Sequence, residues 1–164
     1  MGPPPGATAS TTGVSTAPSQ PPLPRAAAVR RPSFRPVTIR TARDAVTAAA
    51  LYLRWLGFRD VVQPEDTSGA PYGPGSGFGI ELRGPGLVAQ VDPTTRPTSL
   101  RAVECLWLTG LAASVTSVSF SLAGYEEKAR ARADRLRLPL FVMDLTGTPQ
   151  PLNGAADELV ARGV

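Results

Sequence analysis

The stretch from Phe78 to Asp92 constrains the fold more than any other. It reads Phe-Gly-Ile-Glu-Leu-Arg, then Gly-Pro-Gly, then Leu-Val-Ala-Gln-Val-Asp. Pro85-Gly86 suits the centre of a type II turn, where proline presets φ and glycine accepts a positive φ. With those two residues as the loop, Gly84 faces Leu87, Arg83 faces Val88, Glu81 faces Gln90 and Gly79 faces Asp92. Side chains alternate across a strand. One face therefore carries Ile80, Leu82, Ala89 and Val91, and the other Glu81, Arg83, Gln90 and Asp92. An acidic and amide cluster behind an apolar face can frame a metal site. The same pattern is also that of any half-buried hairpin with one solvated face.

The segments around the hairpin supply the rest of an α/β domain. Thr41 with Asp44 three residues on makes a capping box. The helix it opens runs to about Leu56 and ends at Gly57, with Val46, Ala49, Ala50, Leu53 and Leu56 as its apolar stripe. Residues 58–63 read as a strand, and 64–77 as a Gly/Pro-rich loop. After Pro93–Pro97, Thr98 or Ser99 caps a helix to about Ala113 that contains Val103, Leu106, Trp107 and Leu111. Residues 114–122 alternate as a strand, 125–137 form a helix, and 140–144 a short buried strand. Thr146-Gly147 turns the chain, and Asn153 caps a helix over 154–162. The order predicts a mixed central sheet flanked by helices.

Composition excludes several chemistries. No histidine is present, so histidine bases, triads and metal ligands are absent. The single cysteine, Cys105, leaves no internal disulfide or cysteine-rich zinc site and reads as a small core residue. No apolar run reaches the length of a membrane span, and the N-terminus lacks the pattern of a signal peptide. A cytoplasmic protein with no membrane partner is expected.

Charge divides the chain in two. Residues 1–43 hold six arginines (Arg25, Arg30, Arg31, Arg35, Arg40, Arg43) and no acid, whereas the remainder holds eleven basic and thirteen acidic residues. Residues 1–39, rich in Pro, Ser, Thr and Ala, read as a disordered basic tail, and 40–164 as the folded domain. Arg30, Arg31, Arg35 and Arg40 are read either as part of a soluble tail or as an electrostatic arm on DNA. Lys128, Arg130 and their neighbours on the third helix read either as a solvated face or as further phosphate contacts. Trp55 and Trp107 read as core packing, and Tyr125 as a helix-start residue lying on the sheet.

Several stretches together resemble the Mrr-type restriction endonuclease domain, of the PD-(D/E)XK nuclease superfamily. They are Leu-Arg-Trp-Leu-Gly-Phe-Arg-Asp at 53–60, Gly-Phe-Gly-Ile-Glu-Leu at 77–82, Val-Ala-Gln-Val-Asp at 88–92, Val-Ser-Phe-Ser-Leu-Ala-Gly-Tyr at 118–125 and Leu-Phe-Val-Met-Asp-Leu-Thr-Gly at 140–147. The resemblance spans roughly residues 40–160. It implies a restriction-endonuclease-like αβββαβ core and Mg²⁺-dependent hydrolysis of DNA phosphodiesters. In that family the hairpin reads Asp-Gly-Gly-Ile-Asp and then Gln-x-Lys. By position Glu81 takes the metal-binding Asp place and Gln90 matches the Gln. Asp92 stands where the water-activating Lys belongs, and Gly77 replaces the first Asp. The resemblance thus makes Glu81, Gln90 and Asp92 the catalytic positions, with Glu81 and Asp92 as metal ligands. Loss of the lysine implies weak or absent turnover, since a proton-handling group contributes about 10²–10⁴-fold. The alternative is a non-catalytic DNA- or protein-binding scaffold on the same fold, with a homodimer among its partner options.

Overall fold

A computed structural model describes residues 1–6, 30–64 and 79–164. Helix α1 spans Ala42–Leu56, and its capping box forms as the sequence expects. Asp44 N–H donates to Thr41 Oγ1, and the Thr41 N–H donates back to Asp44 Oδ2 at 2.8 Å. Gly57, at φ +118°, ends the helix in the left-handed region. The whole expected stripe is buried.

Strands β1 (Ile80–Gly84) and β2 (Leu87–Asp92) pair antiparallel in the expected register, with Glu81 opposite Gln90 and Ile80 opposite Val91. Gly86 takes φ +72° in the turn. Helix α2 (Leu100–Ala113), capped by Ser99, crosses to β3 (Thr116–Ser121), which lies parallel to β2. Helix α3 (Glu127–Leu136) crosses to β4 (Leu140–Met143), parallel to β3. A turn leads into β5 (Pro149–Pro151), antiparallel to β4, and Asn153 caps α4 (Gly154–Arg162). The sheet order is β1-β2-β3-β4-β5.

Alternation divides the sheet into two packed faces. Leu82, Ala89, Val91, Val118, Phe120, Phe141 and Met143 meet α1 and α4, where Tyr52, Leu53, Leu56 and Ala156 are buried against them. Val88 and Leu140 meet α2 and α3 through Val103, Leu106, Ala129 and Ala133. The polar residues of the opening hairpin share this second face.

Two expectations need correction. Residues 58–63 do not form a strand: only Val62 bridges Arg83. Asp60 there adopts φ +49°, which bends the chain out of the extended path. Strand β5 was not foreseen, because two prolines in three residues suppress the strand signal. Both prolines sit at an edge, where a missing N–H is tolerated. Leu111 is 59% exposed on α2, whereas Trp55 and Trp107 are half-buried and pack against the two cores as expected; Cys105 is half-buried.

Of the expected tail, residues 7–29 lie outside the described residues, as do 65–78 of the loop and hairpin start. Residues 30–39 do not stand free. Ile39 is buried and its N–H donates to the Leu145 carbonyl at 2.9 Å, while Phe34 packs edge-on against Tyr52. Phe34 and Ile39 thus pack with the core on the α1/α4 side.

Candidate functional site

Antiparallel pairing places Glu81 directly beside Gln90, and Gln90 lies beside Ser119 across the parallel β2–β3 pair. One pleat further along, Asp92 lies beside Ser121. Cross-strand neighbours share a face, so Glu81, Gln90, Asp92, Ser119 and Ser121 form a polar row on the α2/α3 side. This much of the candidate site follows from strand pairing alone.

Four side chains on that row, those of Glu81, Asp92, Ser119 and Ser121, are paired or hydrogen-bonded. Glu81 pairs with Arg83, two residues on along its own strand, and both are half-exposed. Asp92 is bound on both oxygens. Its Oδ1 accepts from the Thr94 N–H at 3.0 Å and the Thr94 hydroxyl at 2.7 Å, and its Oδ2 accepts from the Thr98 hydroxyl at 2.9 Å. Thr98 is 2% exposed and ties two elements together. Its N–H donates to the Gly124 carbonyl at 2.9 Å, and its carbonyl accepts from the Glu126 N–H at 3.0 Å. Asp92 thus anchors a loop that links the end of β2 to the start of α3.

Tyr125 extends the same joint. Its phenol donates to the Phe141 carbonyl at 3.0 Å and is hydrogen-bonded to Ser119 Oγ at 3.1 Å. Ser121 donates to the Gly124 carbonyl at 2.7 Å. Burial pushes the Tyr125 phenol well above its ordinary value, and the nearby Asp92 charge adds to the rise. The phenol is therefore a neutral hydrogen-bond donor. Tyr125 lies on the sheet at the start of α3 as expected, whereas the roles of Thr98 and Ser119 were not visible in the sequence. Thr98 read only as a candidate helix cap, and Ser99 takes that role, accepting from the Ala102 N–H.

A Mg²⁺ ion prefers octahedral oxygen ligands and needs carboxylates free to point at it. Here one carboxylate faces an arginine and the other is filled by hydroxyl and amide donors. Among the described residues no group of three or more Asp, Glu or Cys side chains converges. The donor set does not fit the metal that the resemblance implies.

The expected phosphate contacts are dispersed. Arg31 lies on the α1/α4 side, its Nη1 donating to the Val160 carbonyl at 2.8 Å and its guanidinium 5.0 Å from the centre of the Trp55 ring. Arg30, Arg35 and Arg40 are exposed along the same segment. They thus belong to the side of the sheet opposite the polar row. Lys128 is exposed on α3. Arg130 donates to the Leu152 carbonyl at 3.2 Å, beside a groove of about 430 Å³ that Asp134, Arg137, Asp157 and Glu158 also line. Acids outnumber arginines among those residues, so the groove is a poor cradle for phosphate.

No family model matches the chain, and no curated protein or solved structure is significantly similar to it.

Proposed function

We propose that the chain is a restriction-endonuclease-like domain, of the Mrr type it resembles, that binds DNA without cleaving it. The observation that carries this reading is the state of Asp92. At the position where the resembling family uses a lysine, this chain has a carboxylate committed to Thr94 and Thr98. A carboxylate so held neither activates water nor supplies the missing positive charge. Arg83, the nearest cation along the hairpin, stays protonated and cannot act as a base. The resembling motif has become a structural joint, and the hydrolytic role falls away with it.

Binding is assigned to the basic segment. Arg30, Arg35, Arg40 and Arg43 are all exposed, with no acid among residues 30–43. Four phosphate contacts give a salt slope of about −3.5 in a plot of log affinity against log salt concentration. The test is fluorescence anisotropy on a labelled duplex across a salt series, with plasmid cleavage assayed in parallel in Mg²⁺ and in Mn²⁺. Salt-dependent binding that is lost when the four arginines become alanine, with plasmid intact, is expected. Cleavage that disappears in Glu81→Ala would restore the enzyme and refute the proposal.

A protein-binding scaffold is the second reading. Its support is the exposure of Leu108 and Leu111, at 55% and 59%, on one side of α2. Absence of any salt-dependent DNA binding would move the assignment to it.

A further inference from the structure

Residues 31–34 lie against the C-terminal ends of α1 and α4. Arg31 and Pro32 hold the segment at Trp55, whose indole N–H donates to the Pro32 carbonyl at 2.6 Å. Phe34 is inserted beside Trp55 and Tyr52, with ring centres 5.9 and 5.1 Å away. Between these anchors Ser33 is exposed, and no partner of its hydroxyl is found among the described residues. The local sequence is Arg30-Arg31-Pro32-Ser33-Phe34. A hydroxyl preceded by arginines two and three residues back, and followed by an apolar residue, matches the charge pattern read by basophilic protein kinases. Their carboxylate pockets accept the guanidinium forks while the peptide lies extended.

We propose that Ser33 is a phosphoacceptor for a basophilic serine/threonine kinase, and that its phosphorylation lifts residues 30–36 off α1 and α4. A kinase gains access because the segment between Arg30 and Arg35 is in no strand ladder. Its three anchors open at far smaller cost than the sheet. In the transfer the Ser33 Oγ attacks the γ-phosphorus of a nucleoside triphosphate held by the kinase. The new Oγ–P bond forms, the bond to the bridging oxygen breaks, and the nucleoside diphosphate leaves. The hydroxyl proton passes to the kinase's carboxylate base.

Two effects then push the same way. The phosphate brings about −1.5 to −2 charges and three acceptor oxygens, two residues from both Arg31 and Arg35. Among the described residues Arg31 holds only neutral partners, a carbonyl and an indole face, and its Nη2 is buried with no hydrogen-bond partner there. A dianion competes well for such a guanidinium. The ledge beneath is also built from the last turns of α1 and α4, where helix dipoles present their negative ends.

The test uses the full chain carrying Trp107→Phe, so that indole emission reports Trp55 alone. It is incubated with the catalytic subunit of a basophilic kinase and Mg-ATP, and analysed by intact mass and fragmentation. One phosphoryl group on Ser33 is expected, lost in Ser33→Ala and in the Arg30→Ala/Arg31→Ala pair. With it, Trp55 emission shifts to the red and acrylamide quenching rises. In the chain without the Trp107 change, chymotrypsin cuts faster after Phe34 once Ser33 is phosphorylated. Modification elsewhere, or of a peptide spanning 28–40 but not of the folded chain, refutes the acceptor site. Phosphorylated Ser33 with Trp55 and Phe34 still protected refutes the release. No step uses DNA, so this result is independent of the binding proposal.

Discussion

Asp92 is where family resemblance and local chemistry part. Its neighbours in sequence, Thr94 and Thr98, supply the donors that fill its carboxylate. Removing it leaves a buried hydroxyl on Thr98 without its acceptor, a loss that costs about 1–3 kcal/mol. Asp92→Ala is therefore expected to lower the unfolding free energy measured by urea titration by that margin. Asp92→Lys, which writes the resembling family's residue back in, is expected to destabilise at least as much and to yield no cleavage. A lysine has three donors and no acceptor, so Thr98 stays unsatisfied. A stability gain in either variant would mean that Asp92 is held for function rather than structure. The adjacency of Glu81 and Gln90 could be read from alternation and one turn. The engagement of Asp92 could not, because it depends on how residues 93–98 fold back onto Gly124.

Among the elements, the hairpin was legible because three local signals agree: a Pro-Gly turn, strict alternation and matched strand lengths. The strand expected over residues 58–63 is not formed in the structure. A left-handed Asp60 breaks the run, and the edge of β1 takes only one bridge from it. Composition also concealed the docking of residues 30–39, since Pro, Ser and Arg averages hide individual anchors such as Phe34 and Ile39. Their seat includes the turn after β4, where Gly147 has φ +81° and a Cβ would overlap the Val37 carbonyl oxygen. Gly86 has a similar φ of +72°, but no atom lies within 4 Å of the Cβ position. Gly86→Ala is expected to cost about 1–2 kcal/mol, the price of a left-handed alanine. Gly147→Ala is expected to cost at least about 1 kcal/mol more, since lost contacts add to that conformational term. It should also speed hydrogen exchange at the Ile39 amide, which donates to Leu145. Equal losses in the two variants, with Ile39 unaffected, would show that the segment is not seated on this turn.

At the scale of the whole molecule, the pH response follows from which groups folding perturbs. Hydrogen bonds hold two carboxyls below their ordinary 3.8: Asp44, chiefly by the Arg40 N–H and then Thr41, and Asp144, chiefly by the Thr146 hydroxyl. A carboxyl lowered in the folded state contributes stability above its unfolded value, and that contribution is lost as pH falls through the folded one. Both contribute to the acid limb, one at the start of α1 and one at the turn after β4. At the other end, burial raises the phenols of Tyr52 and Tyr125 above 10.0. Their contribution is complete below the unfolded value and is lost as pH rises beyond it, because the unfolded chain ionises first. With no histidine, no side chain of ordinary affinity titrates near neutrality. The unfolding free energy measured by urea titration is therefore expected to stay level from about pH 5 to about pH 9 and to fall on both sides. Tyr125→Phe should lower the plateau by about 1 kcal/mol, through its lost hydrogen bonds, and make the alkaline fall shallower. If the fall keeps its slope in both Tyr125→Phe and Tyr52→Phe, the buried phenols are not its source, and the joint between β3, β4 and α3 is not what opens at high pH.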